Sequence, residues 1–516
     1  MSLLNQLRSV CRKLFRWAAA FCLLASLSSL AGDLDTIGLT QLLAQHPGLT
    51  GAGVRIAQPE SDNGTPAFEI NPATAGQPQL LFTWIATNGI ATEFPNSLGT
   101  ESGHADAVAQ DFFGLGTGVA PAPSHVENWD ADFFIATVIS SNEPITDAVV
   151  NQSFIDSSLA DLVELDSAYD DYVDTYGTIF CSGAGNGGPV YSPAAAYNGI
   201  GVGCYGVAAS SSEGPTTDNG RSKPDIVAPS LVTSFSTPYV SGSATLLVQA
   251  ANEGNGGTNT GAAADVRTIK ALLLNGAIKP FGWSHTDTAP LDPRYGSGVL
   301  NVASSYAQLA SGQHPFSASD TNSAAEDIAP IAALQGWDFE TVTNDSAPVV
   351  NHYCLAPAAS GPFTLTATLV WNRQFGASNA NDLTLTLYEA ANGPMIAQSA
   401  SPVDNVQHLY VPNLSFGNYD LQVARLAGQP GADAYALAYQ FYPISTPLLS
   451  MQDNAGALTL SWPATPTVFQ LQQTTNLAPP VSWSNATNAQ WLTNGLVVVN
   501  LTPSSGPGFY RLIQPR

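Results

Sequence analysis

Val232-Thr233-Ser234-Phe235-Ser236-Thr237-Pro238-Tyr239-Val240-Ser241-Gly242 is the stretch on which the reading of this chain turns. It follows an irregular segment, Ser230 to Val232, and leads into small and apolar residues, Ser241, Gly242, Ala244, Leu246 and Leu247. Such a run predicts a buried helix whose small residues let its neighbours approach closely. Pro238 is expected in the first turn of that helix, where a missing N–H costs little. A serine at a helix N-terminus can be a cap and nothing more. It can also be a nucleophile, because the free N–H groups and the positive end of the helix dipole stabilise an oxyanion forming beside it.

The stretch resembles the serine motif of the subtilisin-like peptidases (subtilases), Gly-Thr-Ser-Met-Ala-Thr-Pro-His-Val-Ala-Gly. Thr233, Ser234, Thr237, Pro238, Val240 and Gly242 match it in register. The resemblance makes Ser234 the candidate nucleophile, and it continues upstream. Gly53-Val54-Arg55-Ile56-Ala57-Gln58-Pro59-Glu60 reads as a strand emerging into the loop Ser61-Asp62-Asn63-Gly64. It is similar to the family's first motif, Gly-Val-x-Val-Ala-Val-Ile-Asp, with Glu60 where the family has aspartate. Asp62-Asn63-Gly64 looks like the family's Asp-Thr-Gly, two residues late. Strand length favours Glu60 as the acid and leaves Asp62 as its rival.

Ser102-Gly103-His104-Ala105-Asp106-Ala107-Val108-Ala109 resembles His-Gly-Thr-His-Val-Ala-Gly, with His104 leading and Ala105 and Gln110 where glycines are usual. Ala148-Val149-Val150-Asn151-Gln152-Ser153 resembles the strand that lines the substrate channel. The resemblance implies that Ser153 offers backbone hydrogen bonds to an extended peptide. Gly183-Ala184-Gly185-Asn186 resembles Ala-Ala-Gly-Asn, which implies that Asn186 donates to the oxyanion. Gly118-Val119-Ala120-Pro121, Lys223 to Pro229 and Tyr295 to Val302 carry the likeness on, so that it covers about Gly51 to Leu309. Structural calcium is common in subtilases, but no ligand cluster here locates one, and the implied chemistry needs no cofactor. Gly32 to Leu49 is far shorter than the usual inhibitory pro-domain, so the catalytic domain is expected to fold without one.

The bulk properties narrow the partners. Net charge is −25, from 15 Lys+Arg against 40 Asp+Glu, and such a surface repels nucleic acid and anionic membrane. Arg8, Arg12, Lys13 and Arg16 form a basic region before the apolar run Trp17 to Leu27. Ser28-Ser29-Leu30-Ala31 fits a cleavage site, so residues 1–31 read as an export signal. The product is expected to be secreted or extracytoplasmic, monomeric, free of membrane once the signal is removed, and active on protein or peptide substrates. Cys181, Cys204 and Cys354 are no disulfide framework; Cys181 and Cys204 end apolar runs and read as buried thiols, with a pairing between the two as the alternative. No His/Cys cluster has metal-site spacing.

The expected organisation is a signal (1–31), a short lead (32–50), a catalytic domain (51–310), a linker (311–334), a β-sandwich (335–443) and a fibronectin-like β-domain (444–516). The sandwich rests on alternating runs such as Phe363 to Trp371 and Leu383 to Tyr388. The fold class is α/β, a subtilisin-like, mainly parallel sheet with helices on both faces, followed by two small all-β domains. The function implied is an exported serine endopeptidase with the triad Glu60, His104 and Ser234, the oxyanion donor Asn186 and the substrate-binding Ser153. All of these precede the linker, so the β-rich tail is expected to be dispensable for peptide hydrolysis. Two rivals remain open. One is a sedolisin-like acid peptidase, suggested by the glutamate. The other is a non-catalytic binding or adhesion protein on a degenerate subtilase scaffold, suggested by Val232, Ala105 and Gln110 at glycine positions.

Overall fold

The computed structural model describes residues 32–61, 64–158, 162–320, 330–343, 349–357, 361–390, 393–427, 432–454, 457–465, 467–501 and 506–514. The expected signal (1–31), Asp62 and the middle of the expected linker (321–329) lie outside the described residues. The first ten strands are β1 (Arg55–Glu60), β2 (Ala67–Glu69), β3 (Phe82–Ala86), β4 (Gly89–Ala91), β5 (Thr100–Glu101), β6 (His125–Asp130), β7 (Val149–Gln152), β8 (Ile179–Gly183), β9 (Ile200–Tyr205) and β10 (Ile226–Pro229). Eight of them form one sheet in the order β10-β9-β8-β7-β1-β6-β3-β4, parallel except for the β3–β4 hairpin. Strands β7 to β10 are buried at every residue, as expected of parallel strands covered on both faces.

The topology decides where a site can form. From β1 the chain runs to β3, returns to β6 beside β1, and then crosses to β7 on the other side of β1. In open α/β sheets such a reversal leaves a crevice at the carboxyl ends of the strands, where ligands bind. Glu60 is the last residue of β1.

Six helices matter here: α1 (Leu39–Gln45), α2 (Gly103–Phe113), α3 (Leu162–Tyr176), α4 (Thr233–Asn252), α5 (Val266–Gly276) and α6 (Val302–Ala310). Helix α4 is buried all round from Ser236 to Ala251, so it is the central pillar of the domain. Gly242 lets α4 meet the segment after α2, since a Cβ there would lie 2.5 Å from Val119 Cβ. Asp265 caps α5 by accepting from the Arg267 N–H at 2.9 Å.

The segment read as a lead is part of the packed domain. Ile37, Leu39, Leu42 and Leu49 are buried in the same core as α4 and α5. The Gln249 side chain of α4 accepts the N–H groups of Thr50, Gly51 and Ala52 at 2.8, 2.7 and 3.2 Å.

Nine strands follow: β11 (Ala318–Asp320), β12 (Gln335–Thr343), β13 (Val350–Leu355), β14 (Phe363–Trp371), β15 (Asp382–Glu389), β16 (Met395–Ser399), β17 (Val406–Leu414), β18 (Tyr419–Ala427) and β19 (Ala432–Pro443). They form two antiparallel sheets, β11-β13-β18-β15-β16 and β12-β19-β14-β17, around a core that includes Leu365, Leu369, Leu385 and Leu421. Strand β11 lies in the segment read as a linker; it pairs with β13, and Ser319 Oγ donates to Asn351 Oδ1 at 2.7 Å. The last unit packs a four-stranded and a three-stranded sheet around Leu460, Trp462, Leu471 and Val499. The architecture is therefore a mainly parallel α/β domain followed by antiparallel all-β domains.

The sandwich does not hang free. Trp337, Val370, Val406, Ala436 and Ala438 join the core of the α/β domain. The threonine face of β14, which alternation alone would send to solvent, is buried there, and Thr368 Oγ1 donates to Asn275 Oδ1 of α5 at 3.0 Å. Buried Arg373 reaches Asp171 at 2.7 Å, and Asp404 accepts the Ser222 N–H at 2.7 Å.

Candidate active site

Glu60 closes β1 with its side chain 1% exposed as a residue, in the crevice beside α2. Its Oε2 lies 2.8 Å from Nδ1 of His104, the second residue of α2. Ser102 caps α2 by accepting the Ala105 N–H at 3.3 Å, which fixes where the first turn holds the imidazole. The His104 side chain is 41% exposed, so one edge of the ring is tied to Glu60 while the rest faces the crevice. Burial pulls the imidazole down, but the hydrogen bond and charge of Glu60 outweigh it and raise its pKa above the ordinary histidine value. Two residues on, burial pushes Asp106 up to about 7; the Asn71 N–H opposes this and the Glu101 carboxylate adds to it.

Ser234 is the second residue of α4, and Val232 holds the N-cap position. Helix α4 therefore begins earlier than the sequence pattern implies, and Pro238 falls in its second turn, not its first. Proline there cannot donate to the carbonyl four residues back, which is that of Ser234. The freed carbonyl accepts from Ser153 Oγ at 2.8 Å. Ser153 is held in turn by Asn151 Nδ2 at 3.0 Å, and Asn151 Oδ1 accepts from Ser241 Oγ of α4 at 2.8 Å. The proline thus opens a socket in α4 that Ser153, the residue after β7, fills. Ser234 Oγ itself donates to the Ser153 carbonyl at 3.4 Å. Its N–H has no acceptor among the described residues, as expected of the first turn of a helix.

Asn186 leaves β8 through Gly185, whose φ of +109° an L side chain rarely adopts. Asn186 Oδ1 accepts both the Thr233 N–H at 2.8 Å and Thr233 Oγ1 at 3.0 Å. The N–H settles the orientation of the amide, since only its oxygen can face a donor. Its Nδ2 is then left without a partner among the described residues, one residue from Ser234. The rings of His104 and Phe235 are 5.8 Å apart, which places the start of α4 beside the start of α2. His104 and Ser234 make no direct hydrogen bond here; such contacts are often long until substrate is bound.

The crevice thus collects Glu60, His104, Ser153, Asn186 and Ser234 from β1, α2, the end of β7, the loop after β8 and α4. Asp62, the rival acid, is among the residues not described. Gln58 and Asn151 also sit at this site, and the motif resemblance, although it included both, gave neither a role. Their signal was a buried-strand pattern interrupted by amides just before the strand ends. Among the described residues no group of three or more His, Cys, Asp or Glu side chains is arranged to hold a metal ion, and no helix is long and apolar enough to cross a membrane. Cys181, Cys204 and Cys354 are free and buried.

Residues 127–299 match the Subtilase family. That stretch lies in the α/β domain and is similar to the subtilases. The matched stretch contains Ser153, Asn186 and Ser234 and begins after Glu60 and His104, whose assignment rests on the geometry above. No curated protein matches the chain. Among solved structures it is similar to tripeptidyl peptidase 2, at 13% identity and a TM-score of 0.32, over 73% of this chain and 43% of that one. It therefore spans less than half of that structure's length. A carbohydrate-binding module in complex with calcium and xylotriose aligns with 20% of this chain and 77% of its own, at 17% identity and a TM-score of 0.14.

Proposed function

We propose that the chain is an exported serine endopeptidase that cleaves peptide bonds through an acyl-enzyme, with Glu60, His104 and Ser234 as its triad. The observation that carries this reading is the approach of the Glu60–His104 pair to the first turn of α4, where the Ser234 N–H has no acceptor among the described residues, at the sheet's reversal point. Ser234 Oγ attacks the scissile carbonyl carbon while the outer nitrogen of His104 takes its proton. Glu60 keeps Nδ1 protonated and stabilises the imidazolium that forms. The tetrahedral oxyanion is met by Asn186 Nδ2 and the Ser234 N–H. His104 then protonates the leaving amine, and water hydrolyses the ester by the same steps in reverse. The chain order acid, histidine, serine is that of the subtilisins. Ser153 extends the site for an extended peptide. No cofactor enters the mechanism, and the enzyme works as a monomer on protein substrates outside the cytoplasm, as the sequence of residues 1–31 supports.

Incubation of the signal-free chain with an unfolded protein substrate tests this. Internal cleavage that disappears in Ser234→Ala is expected. Trimming confined to chain ends would make it an exopeptidase, and equal background cleavage in both proteins would overturn the enzyme reading. A sedolisin-like reading is disfavoured by histidine as Glu60's partner and by an amide, not a carboxyl, at position 186.

A further inference from the structure

We infer that Gln58 is the positioning residue that allows a glutamate to serve as the acid of this site. The inference rests on the proposed triad and assigns a role to a residue outside it. Gln58 and Glu60 are two apart on β1, so they point to the same face of the sheet. Gln58 is fully buried. Its Nε2 donates to Glu60 Oε1 at 2.8 Å and to the carbonyl of Ala105 at 3.0 Å. Both bonds use the amide nitrogen, and the Ala105 carbonyl can only accept, so the reverse orientation of the amide would set oxygen against oxygen. Gln58 Oε1 is left buried with no partner among the described residues. An unsatisfied buried oxygen costs stability, and its retention points to a task for the nitrogen at the other end.

The task follows from side-chain length. Glutamate has one more rotatable bond than aspartate, so its carboxylate at the end of a strand has more ways to turn from the histidine. Gln58 removes that freedom. It ties Oε1, the oxygen His104 does not use, and leaves Oε2 aimed at Nδ1. Its second hydrogen bond goes to the residue after His104, so one amide spaces the acid strand from the histidine helix.

The test is Gln58→Leu, with Gln58→Met as the more adaptable replacement, each checked by thermal melt. The reading predicts kcat reduced about 10–100-fold, the worth of one hydrogen bond to a charged group, with KM little changed. In a Glu60→Gln background the same substitution should change kcat less than about twofold, because the residue through which Gln58 acts is already disabled. NMR titration of His104 in the catalytically silent Ser234→Ala protein should show its midpoint falling when Gln58 is replaced. A midpoint that stays or rises, additive effects on kcat, or loss of the fold in both variants would overturn the inference. Failure of the triad itself looks different. In that case Glu60→Gln would leave kcat and the His104 midpoint unchanged whatever stands at position 58.

Discussion

Two histidine–carboxylate pairs in this chain have almost the same geometry and opposite surroundings. In the α/β domain His104 Nδ1 lies 2.8 Å from Glu60 Oε2; in the sandwich His352 Nδ1 lies 2.9 Å from Asp420 Oδ2. In both, a glutamine two positions away on the same strand donates to the carboxylate, Gln58 at 2.8 Å and Gln422 at 2.7 Å. The His104 side chain is 41% exposed and that of His352 is 0%. Gln58 takes the carboxylate oxygen that the histidine leaves, whereas Gln422 shares Oδ2 with His352 and Asp420 Oδ1 is buried without a partner among the described residues. The hydrogen bond alone therefore does not make a site. What separates the pairs is an open imidazole edge opposite a serine at a helix start, and a carboxylate held by both oxygens.

The contrast between the two regions can be broken in several ways, beginning with the largest effect. Cutting the chain after Ala310 strips the sandwich from α5 and exposes buried core and polar groups such as Asn275. The expected outcome is loss of cooperative unfolding by calorimetry, contrary to the independence suggested by the linker composition; a fragment that melts sharply would show the two regions to be separable. Glu60→Gln should cost about four orders of magnitude in kcat, as a wrong-tautomer substitution does in a triad of another fold. Asp420→Asn should leave kcat of the folded protein unchanged. Equal losses from the two would erase the distinction drawn here.

Asn186→Ala should lower kcat about 10²–10³-fold with little change in KM, the range measured for one oxyanion donor in a subtilisin. Asp420→Ala is expected to act on stability only, costing roughly 3 kcal/mol in denaturant unfolding because it leaves buried partners unpaired. The smallest effect is the pH dependence. His104 must be neutral to act as a base, and its pKa is raised, so the acid limb of kcat/KM should lie above pH 6.5, the ordinary histidine value. The same pair contributes stability that is full below the unfolded value and is lost as pH rises through the folded one. In Glu60→Gln the limb should move to lower pH; an acidic optimum in the native chain would favour the sedolisin-like chemistry instead.

Much of this was readable from residues alone, for physical reasons. A buried helix rich in small residues and parallel strands that run apolar to their ends leave strong local signals, so the α/β class was legible, whereas Ser234, His104 and Glu60 were singled out by the resemblance of their stretches to the subtilase motifs. What was not legible depends on tertiary contacts. The place of Pro238 in α4 depends on Ser153 filling the carbonyl it frees. The threonines of β14 read as a solvent face, yet they meet Asn275 and Thr467 across domain boundaries. The lead residues Ile37, Leu39 and Leu42 carry a weak pattern because α1 is only two turns long, and its burial is supplied by α6 and the core. Gln58 was given no role by the motif that includes it, and its meaning appears only when Glu60 and Ala105 stand on either side of its amide.

The most direct test of the central claim is covalent labelling with a fluorophosphonate probe, followed by mass spectrometry of the modified peptide. The account predicts a single adduct on Ser234 in the native chain and none in His104→Ala, because the hydroxyl is reactive only with the imidazole beside it. Absence of labelling in the native chain, or equal labelling in both proteins, would contradict it and favour a subtilase scaffold that binds without catalysing.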